Sequence, residues 1–251
     1  MPSINFTDIL PNPDNGIGDA GQALTSGGNG LGYSSVKLSS ENKVINQRTN
    51  SGKMFSRMLG DDHKWNIDIS YNPMTREEFE PVYTFLLDKR GSMKPFFVSL
   101  PQYKAPRDTA FAAYVADTNN DDFKSKVTCE VGTTNMMIDV NADFTRASDG
   151  APKPGDVFTV ADALHTKVYQ ITKVETPSAY LEGTTAPADT ADSREFRIHF
   201  IPSLRKSVAT NAVINFNNPM FRVVQKRDTQ SYSLNTENLY SFSLSLEEAQ
   251  K

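Results

Sequence analysis

The sequence predicts a mainly β protein with a single packing helix, and three observations predict it. Short runs alternate apolar and polar residues with a period of two; one segment alone carries a helix start followed by an apolar stripe at helical spacing; and turns rich in Pro, Gly, Asn and Asp separate the runs. The clearest strand is "WNIDISY", which puts Trp65, Ile67, Ile69 and Tyr71 on one face and Asn66, Asp68 and Ser70 on the other. "LYSFSLSLEE" near the end of the chain repeats the pattern, with Tyr240, Phe242, Leu244 and Leu246 alternating with serines.

Residues 1–32 include "LPNPDNGIGDAGQALTSGGNGLG", in which turn formers prevent regular pairing. With little apolar surface to offset the entropy of ordering, this arm is expected to lack a core of its own and either to be disordered or to order only against a partner, for which a neighbouring subunit is the natural candidate. A helix is expected over 76–89. Thr75 is placed to cap it, Glu78 completes a capping box, Met74 and Phe79 have staple spacing, and Phe79, Val82, Tyr83 and Leu86 form the stripe that packs on a sheet. Pro81 allows two readings: one kinked helix, or a second helix that Glu80 caps with Pro81 in its first position. Lys89, Arg90 and Gly91 end the run, and "MKPFFVSLPQY" follows as a strand bounded by prolines.

From 106 to 202, polar loops separate the short strands "KVTCEV", "MMIDV", "VFTV", "KVYQITKV" and "EFRIHFI". This texture predicts a small β-barrel or sandwich inserted into a first β domain made of 33–105 and 203–251. In that reading "AVINFNNPMFRVVQKRD" returns the chain to the first domain.

The net charge of −4 offers no basic surplus for phosphate neutralisation, which disfavours nucleic-acid binding. Cys129 is the only cysteine, so an intrachain disulfide is impossible. The first residues carry no basic leader or apolar run, and no stretch approaches the roughly 20 apolar residues of a membrane span. The expectation is a soluble chain folded in a reducing cytosol, with no membrane contact.

Motifs of catalysis and ligand binding fail on context. "GIGDAG" (Gly16, Gly18, Gly21, with Glu41 further on) matches a dinucleotide fingerprint, but no strand feeds it and no helix follows. Asp117, Asn119 and Asp121 have calcium-loop spacing, yet Asp122 stands at the glycine position and Thr128 at the bidentate glutamate position. His63, His165 and His199 lie far apart in sequence, and "GDDH" before the Trp65 strand reads as a turn. We expect no catalytic residue, no metal and no cofactor. A carbohydrate-binding alternative would use Tyr103, Tyr114, Tyr169 and Tyr180 as stacking aromatics.

Three segments in order resemble the distal tail and minor tail proteins of tailed phages. "WNIDISYNPMTREEFEPVYTFLLDKRGSMKPFFV" is similar to that family's strand, "T-x-x-E-F" helix, glycine and aromatic strand. "KPGDVFTVADALHTKVYQITKV" and "FIPSLRKSVATNAVINFNNPMFRVV" resemble its "GD…VY.VT" and "P.LR..V" phrases, carried here by Gly155, Asp156, Pro202, Leu204 and Arg205, and "YSLNTENLYSFSLSLEEA" resembles its closing strand. The resemblance implies a tail-tube-like split β-barrel and a non-enzymatic structural protein of the virion tail, assembled in the host cytoplasm. It also implies self-assembly into a ring, often hexameric, that joins the tail tube protein to baseplate or tail-tip hub proteins.

Overall fold

The computed structural model describes residues 8–11, 32–58, 63–117, 123–140, 144–161, 165–176 and 194–249. Most of the N-terminal arm, "GIGDAG", Asn119, Asp121, Asp122 and Tyr180 lie outside the described residues. In chain order the elements begin with β1 (Tyr33–Glu41), β2 (Val44–Arg48), β3 (Met54–Met58), β4 (Lys64–Tyr71), α1 (Arg76–Lys89) and β5 (Phe96–Val98). Next come α2 (Thr109–Ala116), β6 (Lys124–Ser125), β7 (Asn135–Asp139), α3 (Arg146–Asp149), β8 (Val157–Val160), β9 (Val168–Glu175), β10 (Phe196–Ile201) and β11 (Ile214–Asn215). The chain closes with β12 (Phe221–Gln225), β13 (Tyr232–Leu234) and β14 (Tyr240–Glu248). The protein is mainly β, as the alternating runs require.

Two compact units divide the chain: a split unit of Ser3–Val98 and Phe221–Lys251, and an inserted unit of Ser99–Met220. The chain therefore rejoins the split unit at Phe221 and not at 203. The reason is packing: Leu204, Val208, Ile214 and Phe216 are all buried in the core of the inserted unit.

In the split unit the sheet order is β1-β4-β14-β12-β5, every pair antiparallel, with β13 added beside β14. The register sets Leu38, Ile67 and Leu246 side by side, so one row of like-facing side chains crosses three strands. Trp65, Ile67, Ile69 and Tyr71 are buried while Asp68 is exposed. Glu248, the last residue of β14, is buried too, and its carboxylate accepts the Trp65 N–H at 3.2 Å.

Helix α1 is continuous through Pro81, which decides between the two readings of that proline. The Glu78 carboxylate accepts the Thr75 backbone N–H at 2.8 Å, as a capping box should, and also the Thr75 hydroxyl at 2.9 Å. Phe79, Val82 and Leu86 are buried and Tyr83 is half-buried. Phe79 stacks on Tyr240 at 4.6 Å and meets Phe242 edge-on at 5.7 Å, while the Gln225 amide donates to the Leu86 carbonyl at 3.0 Å. These contacts seat the helix on β12 and β14. At the C-terminus Arg90 and Gly91 both take left-handed conformations, and a Cβ on Gly91 would stand 2.5 Å from the Asp228 carboxylate, so only glycine fits there.

The inserted unit is a six-stranded sheet in the order β11-β8-β9-β10-β7-β6. Its two ends meet. Lys124 bridges Val213, Ser125 N–H donates to the Ala212 carbonyl at 2.9 Å, and Ile214 N–H donates to the Phe123 carbonyl at 2.8 Å, which brings the sheet round into a nearly closed barrel. Phe111, Phe123, Phe144, Phe158, Phe196, Phe200 and Phe216 fill it. Of the five expected strands four form; "KVTCEV" forms none, making a bridge from Cys129 to Val208 and a bond from the Lys126 N–H to the Met137 carbonyl at 2.9 Å, and Val127 and Val131 are exposed. Helix α2 is an element that the sequence patterns do not announce; Asp108 caps it by accepting the Ala110 and Phe111 N–H groups, each at 3.1 Å. No described helix is long and apolar enough to cross a membrane.

Candidate functional site

Asp156 is the most buried carboxylate among the residues singled out from the sequence, at 3% exposure, and backbone amides engage both its oxygens. Arg107 N–H donates to Oδ1 at 3.0 Å and Lys153 N–H to Oδ2 at 2.7 Å. Gly155, at φ +101°, passes its own N–H to the Ile171 carbonyl. This is a turn that launches β8, with one backbone amide held by each carboxylate oxygen. Pro202 and Leu204 are buried, and Arg205 donates its backbone N–H to the Tyr169 hydroxyl at 3.4 Å. Nε and Nη2 of the Arg205 guanidinium are buried without hydrogen-bond partners.

The densest charged group on the inserted unit lies across β9 and β10. Glu175 accepts from His199 Nε2 at 3.0 Å, from Lys173 at 2.5 Å and from Arg197 Nε at 2.8 Å. These bonds, His199 first, hold its carboxyl at about 2. A carboxylate so saturated with donors is a poor proton acceptor, which makes this a cross-strand network and not an acid–base pair. Because the folded value is depressed from 4.5 to about 2, its stabilising contribution is present above about pH 4.5 and is lost as pH falls towards 2. Acid titration of Glu175→Gln should accordingly show a shallower loss of stability in that window than the wild type, measured by urea midpoint at each pH; identical pH profiles would contradict the network.

Each histidine has its own partner: His63 sits in the split unit with Nε2 at 2.9 Å from the Ser40 hydroxyl, and in the inserted unit His165 contacts the Lys206 carbonyl at 3.1 Å while His199 bonds Glu175. Among the described residues no three His, Cys, Asp or Glu side chains gather as a metal cage would require. A concavity of about 220 Å³ on the inserted unit has Asp117 as its one ionisable lining residue among the described residues, beside Phe123, Phe216 and Asn217. Tyr169 is fully buried and stacked on Phe158 at 5.4 Å, and Tyr114 is buried against Phe144. Neither can stack on a sugar, which leaves half-buried Tyr103 as the sole described member of that set with accessible ring surface.

The features that stand out are borders. At one side of the split unit's sheet, the β5 edge is covered by the chain's own arm: Ile9 bridges Phe97 in parallel, Leu10 N–H donates to the Phe97 carbonyl at 2.9 Å, and both apolar side chains are buried. Asp8 locks this strap to the nearly buried Lys89 amine at 3.2 Å, which also lies 4.7 Å over the Phe85 ring. On the other side β1 pairs with β4 alone among the described strands. Immediately after β1 comes a feature the sequence did not reveal, the β2–β3 hairpin, a two-stranded sheet of its own. Every side chain described in it is exposed, including Val44, Ile45, Met54 and Phe55.

The chain is 28% identical over 222 residues to the distal tail protein pb9 of Escherichia phage T5, an alignment that covers 88% of this chain and 93% of the relative. No protein-family model matches. The likeness to tailed-phage distal tail proteins read from the three segments is thus borne out across most of the chain.

Proposed function

We propose that this chain is a structural protein of a bacteriophage tail, assembling as a ring at the distal end of the tail tube and joining the tube to the baseplate or tail tip. The observation that carries the reading is the similarity to a distal tail protein along nearly the whole length of both chains. The border chemistry supports it. A sheet with one strapped edge and a second edge, β1, that pairs only with β4 among the described strands, next to an exposed apolar hairpin, suits pairing with further copies and is a hazard for a solitary chain. Six copies follow from the family resemblance, and the partners are other copies, the tail tube protein and the hub proteins of the tip.

In this reading Phe79, Val82, Tyr83 and Leu86 are framework, fixing α1 to the sheet that meets the neighbours. Gly155, Asp156, Pro202, Leu204 and Arg205 likewise shape the inserted barrel and bind no substrate. The protein resides in the virion tail after assembly in the host cytoplasm, and it performs no catalysis.

Gold-labelled antibody against the purified chain, applied to whole virions, should decorate the far end of the tail in electron micrographs. Label confined to the capsid, or absent from the tail, would contradict the proposal.

A further inference from the structure

Among the described residues of the split unit, the exposed large apolar side chains fall mostly in two places. One is the β2–β3 hairpin, with Val44, Ile45, Met54 and Phe55. The other is a tyrosine patch where α1 meets β13 and β14. There Tyr232 packs on Phe79 at 5.0 Å, on Tyr83 at 5.5 Å and on Tyr240 at 5.5 Å, with Leu234 two residues further along the strand. Tyr232 and Leu234 are about half exposed, at 49% and 51%, and Leu87, one turn beyond Tyr83, is at 53%. Tyrosine clusters of this kind make interface anchors, since they bury much surface and lose little conformational freedom.

The two places have opposite charge. From Asn42 to Met58 the hairpin carries Lys43, Arg48, Lys53 and Arg57 and no carboxylate. The patch is rimmed by exposed Glu77 and Glu80 on the first turns of α1 and by Glu237 in the β13–β14 turn, with Arg76 already paired to Glu80. They also sit at opposite ends of β4. The hairpin leaves from Glu41, which pairs with Lys64 at the start of that strand, whereas the patch adjoins Met74 and Tyr240, just past Tyr71 at its end. At about 3.3 Å per residue these ends are roughly 23 Å apart. Within the chain the hairpin and patch side chains both stay exposed, so the hairpin does not fill the patch of its own chain.

We infer that the β2–β3 hairpin of one copy docks on the Tyr83–Tyr232–Tyr240 patch of the next. The inference deepens the ring reading and rests on it. Such a contact uses two different surfaces, so each copy offers one donor and one acceptor, and repetition of it yields a closed ring or an open filament but never a two-fold dimer. Basic residues on the donor and acidic residues on the acceptor set the direction and speed the encounter.

The test uses two full-length variants, Phe55→Glu on the hairpin and Leu234→Glu on the patch. Both positions are exposed, so both variants should keep the wild-type melting temperature. By sedimentation velocity each alone should associate at least about thirty-fold more weakly than wild type, the loss of one interface anchor. Mixed in equal amounts they should form dimers and stop there, because the pair holds one intact hairpin and one intact patch. A mixture that stays monomeric, or either variant assembling like wild type, overturns the hairpin–patch contact while the ring reading stands. A wild-type chain that never associates overturns both. Should either variant melt lower than wild type, the reversal Arg48→Glu with Arg57→Glu replaces it. Association lost on that reversal should return on mixing with Glu80→Lys and Glu237→Lys chains, and failure to return overturns the contact.

Discussion

Phe79→Ala is expected to destabilise the split unit by about 3–5 kcal/mol, the range for removing a fully packed aromatic ring. Phe79 is 2% exposed and contacts four rings: Tyr240 at 4.6 Å, Tyr232 at 5.0 Å, Tyr83 at 5.2 Å and Phe242 at 5.7 Å. Their positions on a helix, a hairpin strand and the central strand β14 leave little room for the site to collapse, which keeps the cost at the upper end. Trp65 is the only tryptophan and lies buried in this unit, so its fluorescence during urea unfolding reports the change directly. Phe79→Leu, which keeps most of the volume, should cost less than half as much. A shift below about 1 kcal/mol for the alanine variant would mean that α1 is not held on the sheet through this ring.

The second large effect belongs to the inserted unit. Asp156→Ala should cost about 2–4 kcal/mol, because it leaves the backbone N–H groups of Arg107 and Lys153 without acceptors in a buried turn. Asp156→Asn keeps one carbonyl acceptor and should fall in between. The transition must be followed by far-ultraviolet circular dichroism, as the inserted unit has no tryptophan. Equal stability of the alanine variant and wild type would show that the turn does not depend on the carboxylate.

Local pattern made legible those elements whose burial follows their own periodicity. Trp65, Ile67, Ile69 and Tyr71 alternate and are buried; Thr75 and Glu78 announce the start of α1 because capping is a contact between near neighbours in sequence. Other elements depend on partners that the local sequence does not show. Val127, Cys129 and Val131 alternate as well as any strand, but only Cys129 finds a partner, in Val208, and the valines stay in solvent. "TAFAAYVA" is almost uniformly apolar, so α2 displays no stripe to recognise. The hairpin was hidden for the opposite reason: neither of its faces packs on a core, so apolar and basic residues mix on both. The tyrosine patch draws on helix and hairpin residues some 150 positions apart, Tyr83 with Tyr232, which no reading of local spacing can join.

The same distinction explains the site residues. Gly155 and Asp156 were visible as a turn, and the structure shows why a carboxylate stands there. Tyr114 and Tyr169 resembled binding aromatics only because a tyrosine's burial cannot be read from its neighbours in sequence; both complete the barrel core.

On the proposed reading, the side of β1 that has no partner among the described strands and the apolar hairpin meet complementary surfaces on further copies of the same chain. The most direct measurement of this is the mass of the purified full-length protein by analytical ultracentrifugation over a wide concentration range. A discrete species at a whole-number multiple of the chain mass is expected, six by family resemblance, in equilibrium with single chains on dilution. One monomeric species at every concentration, also in the presence of tail tube and hub proteins, would contradict it.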